Sequence, residues 1–205
     1  MREFKTKKSK ETYRRVLESA MHLFSELGYE KTTMRALSKK ADLGLGALYY
    51  YFPSKESIIL RFYEELQKEL AEEWPDRDPG PEAELNARLH AFLKFKLEKL
   101  EPYRPLMKVL LKEAVDPDSQ LNPLSSDSRS ALDRSLLIFQ SLLSEAQKQT
   151  GMARMLWLGH LGVIGLWIHK PDKTDQLVDF FAETAPFLAL TMGELGNSPF
   201  DLIFE

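Results

Sequence analysis

Between Lys10 and Leu27 the apolar residues Val16, Leu17, Ala20, Phe24 and Leu27 fall on one helical face, and Gly28 closes the helix. Thr32 or Thr33 is placed to cap a short second helix, MRALSKKA, whose Leu37 and Ala41 face inward. After the tight connection DLGLG a third short helix covers LGALYYYF. Pro53 stops it, and Ser54 is a good N-cap for a fourth helix that runs to about Trp74. The proline- and charge-rich PDRDPGPE, residues 75–82, reads as a loop. Further helices are predicted over 82–100, 103–115, 127–150, 152–169 and 173–195, the last bent at Pro186, with a mobile loop over 116–127. The tail GNSPFDLIFE has no clear assignment. With no internal repeat and no alternating segment of useful length, the chain reads as all-α.

Composition narrows the chemistry. The 205-residue chain has no cysteine, which removes disulfides, thiolate nucleophiles and Cys-type zinc sites. Its charged start, MREFKTKKSKETYRR, has no apolar run of the kind a signal peptide needs, and a cytoplasmic location is expected. The longest apolar stretch, residues 152–170, is interrupted by Arg154 and His160, so it reads as a helix buried in protein and no membrane partner is expected. Charge is unevenly spread: residues 1–58 hold 12 Lys/Arg against 7 Asp/Glu, and the remainder 16 against 24. An acidic protein that gathers positive charge at one end presents that end to a polyanion; a merely solvated basic tail is the alternative.

The stretch GLGALYYYFPSKES, residues 44–57, gives that end a chemistry. Consecutive helical residues point about 100° apart, so Tyr49, Tyr50, Tyr51 and Phe52 cannot all face one core. Two short helices joined by about four residues, the second led by small residues, describe a helix-turn-helix. Gly44, Gly46 and Ala47 would let the first turn of its second helix approach base edges, while Leu48 and Phe52 hold it to the domain. Tyrosine rings suit sugar or thymine methyls and their hydroxyls suit phosphate; Lys55 adds a charge at the next helix start.

Residues 10–60 resemble the DNA-binding domain of the TetR family of bacterial transcriptional regulators. The likeness lies in AMHLFSELGYEKTTMRALSKKADL and GALYYYFPSKESI. It implies an all-α, TetR-like fold: a three-helix helix-turn-helix domain over 1–55, then a larger helical ligand-binding and dimerisation domain over 56–205. Gly28 and Tyr29 would end the first helix, Thr33 and Arg35 would sit on the DNA side of the second, and Gly46, Tyr49, Tyr51 and Lys55 fall on strong family positions. Thr32, Lys39, Tyr50 and the N-terminal lysines are expected at phosphates. Three positions depart from the pattern: Gly44 replaces a Ser or Thr cap, Asp42 the usual turn glycine, and Leu45 a common polar residue. Leu45 and Ala47 are expected to read thymine methyls and Arg35 a polar base edge; Leu45 packing against Leu43 or the first helix is the alternative.

One recognition helix reads too few base pairs for a genome, so a homodimer on palindromic double-stranded DNA is expected. Gly159, Gly162 and Gly165 make sense if another backbone approaches closely, and the last helix carries Leu177, Phe180, Phe181, Thr184, Leu188 and Met192 as an apolar stripe. The resemblance implies that these last two helices form the dimer interface, with intramolecular core as the alternative role of their opposite faces. It also implies a pocket for a small-molecule effector of unknown identity; Phe92, Phe95, Tyr103, Met107, Phe139, Trp157 and His160 are candidate lining, ordinary core packing is the alternative for each, and the dense Phe, Trp, Leu and Met suggest an apolar or amphipathic ligand. Four scattered histidines give no metal site, and no cofactor is implied. The expected function is a repressor released from its operator by that effector. An enzyme is disfavoured by the missing G-x-S-x-G and P-loop patterns; a protein-interaction module remains the third class.

Overall fold

The computed structural model describes residues 6–148 and 151–194, with side chains from 188 to 194 outside the described part. The helices are α1 (Lys7–Leu27), α2 (Met34–Lys40), α3 (Leu45–Tyr51), α4 (Lys55–Glu73), α5 (Leu85–Leu100), α6 (Arg104–Ala114), α7 (Arg129–Ser141), α8 (Glu145–Lys148), α9 (Met152–His169) and α10 (Thr174–Glu194). Short 3₁₀ turns over 74–76, 101–103 and 171–173 each place a proline in their first positions, where its missing N–H costs nothing.

Capping explains the boundaries of the first four helices. Thr6 and Ser9, and again Ser54 and Ser57, form reciprocal capping boxes at the starts of α1 and α4. Gly28 takes φ +81° and sends its N–H to Phe24 O, ending α1. Along α1 the inward face is Val16, Ala20, Leu23 and Phe24, whereas Leu27 points outward. A single apolar core then runs from these residues through Leu37, Leu48, Ile58 and Ile59 into the larger region, where α5, α7, α9 and α10 pack around Leu89, Phe92, Phe139, Leu156 and Val178. α4 belongs to both ends, touching α1 near its start and α7 further along.

One expected helix is broken. The segment 127–150 divides into α7 and the short α8, because Arg88 of α5 captures the carbonyls at the end of α7: its guanidinium donates to Ser141 O and Leu142 O, both at 2.9 Å. Asp78 holds that guanidinium in place, and the hydrogen bond from Arg88 keeps the Asp78 carboxyl below its usual range. Ser144 and Gln147 then cap α8 reciprocally. The segment expected to be a mobile loop, 116–127, is wound into successive turns: Asn122 donates to Ala114 O and Asp116 O, Ser128 donates to Gln120 O, and Leu121 is buried.

Among the described residues no helix is long and apolar enough to cross a membrane. The tail 195–205, and the side chains of Leu188 and Met192 expected on the dimer stripe, lie outside the described residues.

Candidate nucleic-acid interface and interior cavity

α2 and α3 are set at their angle by a tightly bonded turn. Thr33 caps α2, its hydroxyl accepting from Ala36 N–H at 3.1 Å. At the other end Leu43 N–H donates to Ser38 O (2.9 Å) and Asp42 N–H to Lys39 O (3.3 Å), the paired bonds of a Schellman motif. Its left-handed position is Asp42, at φ +47°, where glycine would be free of strain. Ala41 and Leu37 are fully buried beneath the turn.

α3 starts at Gly44 with no side-chain cap, so the donors of its first turn are left to outside partners. Added side-chain carbons at Gly44 or Gly46 would meet nothing within 4 Å, and Ala47 is exposed beside them. Leu48 and Phe52 seat the helix, with Phe52 stacked on Tyr13 of α1 at 5.6 Å. Tyr49 and Tyr50 stand outward at 48% and 62% exposure, which answers the row of aromatics: its first two rings serve no core. Tyr51 is half-turned inward against the core, with its ring at 5.3 Å from that of Tyr50. Leu45 is half-buried and lies outside the core cluster, while Leu43 packs against it. Thr33, Arg35 and Lys39 are exposed along α2.

One expected contact, at Thr32, needs revision, and a second, at Lys55, gains an intramolecular partner. Thr32 is buried, and its hydroxyl donates to Gly28 O at 2.9 Å, tying the end of α1 to the start of α2; it has no surface left for a phosphate. Lys55 is already engaged, since Nζ donates to Tyr29 O at 2.9 Å and lies 4.2 Å over the Tyr29 ring. Tyr29 in turn donates to Glu56; burial, then that bond, push the Tyr29 hydroxyl up. Burial alone would raise Glu56, but hydrogen bonds from Tyr29, its own N–H and Ser54 bring its net pKa down.

Deeper in the chain a cavity of about 70 Å³ lies between α4, α6, α7 and α9, walled by Leu60, Tyr63, Met107, Leu132, Trp157 and Leu161 among others. Leu121 and Pro123 of the wound segment close one side. Of the expected lining only Met107 and Trp157 are there. Phe92, Phe95, Phe139 and His160 are instead core, in a chain of mostly edge-on and tilted ring contacts that includes Trp74, on which Phe95 stacks. Tyr103 sits against Phe62 and lines a separate groove between α1 and the start of α6. At the centre of that aromatic core is a residue the sequence reading passed over. Lys96 is 1% exposed, with Nζ 3.1 Å from His160 Nε2 and between the faces of Phe92 and Phe139. The signal was present: Lys96 occupies the apolar stripe of α5 between Phe92, Leu93 and Leu100. His160 Nδ1–H donates to Trp157 O, leaving Nε2 to accept from Lys96.

The expected dimer residues divide. A carbon added at Gly159 would sit 2.2 Å from the Phe181 ring, so this glycine receives α10 of its own chain, and Phe181 packs on the core. Gly165 similarly receives Leu111 of α6 at 3.2 Å. Gly162 faces open space, and Leu166, Phe180 and Phe187 are exposed, the two phenylalanines at 67% and 75%. Leu177 and Thr184 are half-buried on the same side of α10.

Residues 16–62 match the family model of bacterial regulatory proteins of the tetR family. The transcriptional repressor KstR of Rhodococcus jostii is 43% identical over 51 residues, covering 25% of this chain and 24% of that protein. The chain thus matches only about a quarter of this curated relative's length, and 18% of another's. Over nearly the whole chain the fold is that of a TetR-family regulator from Syntrophomonas wolfei (TM-score 0.66, 19% identity, 88% of this chain and 96% of that one). It is also the fold of FadR from Bacillus subtilis in complex with stearoyl-CoA (TM-score 0.62, 20% identity, 91% and 98%).

Proposed function

Because the chain carries the TetR-family helix-turn-helix domain at residues 16–62, followed by a helical region with the fold of that family, we propose that it is a homodimeric transcriptional regulator. In this reading it binds a palindromic operator and is released by a small apolar or amphipathic effector. The observation that carries the DNA reading is the outward face of α3. An uncapped first turn of Gly44, Gly46 and Ala47 is flanked by exposed Tyr49 and Tyr50, with Arg35 and Lys39 beside it on α2. Bare N–H donors, rings and cations are what a major groove edged by phosphates accepts.

Two-fold pairing is supported by the stripe of exposed Gly162 and Leu166 on α9 with half-buried Leu177 and exposed Phe180 on α10. Pairing there would set two copies of α3 for half-sites about 34–36 Å apart or a multiple of it. Effector control is supported by α6, which lends Met107, Leu110 and Leu111 to the cavity wall while packing on α1; Lys112 also reaches Glu30 at 3.3 Å. A ligand that displaces α6 therefore moves the base of the DNA-binding unit. Differential binding of roughly 1–3 kcal/mol is enough for induction.

Selection from random inverted repeats, followed by anisotropy titration, tests this. The expected result is one enriched palindrome, bound by a dimer, with affinity falling about 10³–10⁵ between 50 and 200 mM salt if roughly six to ten phosphates are neutralised. Arg35→Ala should lose base preference and Lys39→Ala should reduce the salt slope. A monomer at micromolar concentration, or no enrichment at low salt, defeats the reading.

A further inference from the structure

Lys96 is a cation without an anion. Its one near polar partner among the described residues is a neutral imidazole nitrogen, which accepts a hydrogen bond but carries no charge. The acids on neighbouring elements are used elsewhere or face out. Asp175 and Asp179 of α10 pair with Lys94 and His90, Glu73 of α4 with Lys99, and Asp133 of α7 with Arg129; Glu183 of α10 is exposed. Burying an unpaired ammonium costs several kcal/mol, and an apolar residue of similar size would avoid that cost. Burial alone brings Lys96 down to about 7.

The position of this amine relative to the cavity gives it a use. Trp157 is a wall of the cavity and its ring lies 5.9 Å from that of His160, which holds Lys96. The amine is therefore linked through His160 and then Trp157 to a chamber whose other walls are almost entirely aliphatic. The core beside this apolar space thus holds an unmatched charge.

We propose that the effector is an amphipathic monocarboxylate, its chain in the aliphatic cavity and its carboxylate paired with Lys96 beside His160. This deepens the effector reading given above and rests on it. One buried ammonium balances one negative charge, so a monoanion fits and a dianion leaves excess charge. The ligand-free cavity must widen; Met107 and the leucines around it are the side chains suited to that, and Trp157 is the layer that must turn to admit the head group. His160 keeps its Nδ1–H on the Trp157 carbonyl and continues to accept from Lys96, which aims the remaining ammonium protons at the carboxylate.

Hexanoate, octanoate and decanoate, each beside the primary alcohol of the same length, are titrated against the full chain by tryptophan fluorescence and calorimetry. The acids are expected to bind at least tenfold tighter than the alcohols at pH 6.5, and more weakly at pH 8.5, where binding must take up a proton. Lys96→Met, which keeps the core filled, is expected to erase the preference for acid over alcohol while melting no lower than the wild type; Lys96→Arg is expected to retain a preference for acids. Equal binding of acids and alcohols by the wild type, an unchanged preference in Lys96→Met, or no binding of any acid at millimolar concentration overturns the proposal. DNA binding by ligand-free protein is read separately: if it persists while the acids fail, the carboxylate site falls and the DNA reading stands.

Discussion

Replacing Lys96 by methionine should stabilise the protein, and by an amount that depends on pH. The folded state holds this amine at about 7, against an ordinary value of 10.5. At about 1.36 kcal/mol per pKa unit, the difference is on the order of 4–5 kcal/mol of folding free energy forgone when the unfolded chain carries the proton. The sign follows from proton counting. Between pH 7 and 10.5 the unfolded state binds the proton and the folded state does not, so stability rises with pH across that window, by up to about 1.4 kcal/mol per unit. Below pH 7 both states are protonated and the full cost of the buried charge is present. His160, held well below 6.5 by burial and then by the Lys96 charge, acts in the same direction at lower pH: stability falls as pH drops through 6.5. Tyr63, raised by burial to about 12, intrudes only above pH 10, where the unfolded phenol ionises first and stability declines. Urea melts at fixed protein concentration, from pH 6 to 9.5, give the test. Lys96→Met should exceed the wild type by several kcal/mol at pH 6.5, and the gap should close steadily toward pH 9.5. A gap that stays constant with pH, or a Lys96→Met protein less stable than the wild type at pH 6.5, would refute the argument that an uncompensated ammonium sits in this core.

Five other substitutions have expected outcomes. Asp42→Gly relieves the left-handed position of the Schellman turn and should add about 1 kcal/mol to stability in urea melts, with DNA affinity unchanged. Thr33→Ala removes the α2 cap at a cost of about 1 kcal/mol; Thr32→Val removes the buried bond to Gly28 O and should lower the melting temperature without altering the salt slope of DNA binding, since no phosphate contact is lost. Gly159→Ala drives a carbon into the Phe181 ring and should cost about 1–3 kcal/mol by overpacking. Gly162→Ala meets nothing within its own chain, so it should melt no lower yet weaken the dimer in sedimentation equilibrium; two variants that behave alike would dissolve the distinction between the two faces of α9.

What the sequence disclosed and what it withheld divide along the distance between interacting residues. The cap at Ser54, the glycine at 28 and the left-handed Asp42 act within six residues of where they stand, and each was legible. The end of α7 is set by a guanidinium 53 residues away, and nothing in residues 127–150 announces it. Thr32 and Thr33 are adjacent and chemically identical; only the placement of the α1 carbonyls makes one a buried strut and the other an exposed cap. Periodicity reports that a face is apolar, but not what covers it. That is why Phe92, Phe139 and His160, read as ligand-facing, are core, and why Gly159, read as an intersubunit contact, is filled by Phe181 of its own chain. The same reasoning gives Lys96 its weight. An apolar stripe tolerates a cation where its side chain reaches water or an anion; with water excluded and the nearby acids among the described residues paired elsewhere or facing out, the missing partner must be supplied from outside the chain or the position is simply destabilising, and the melts and the carboxylate titrations discriminate between those two cases.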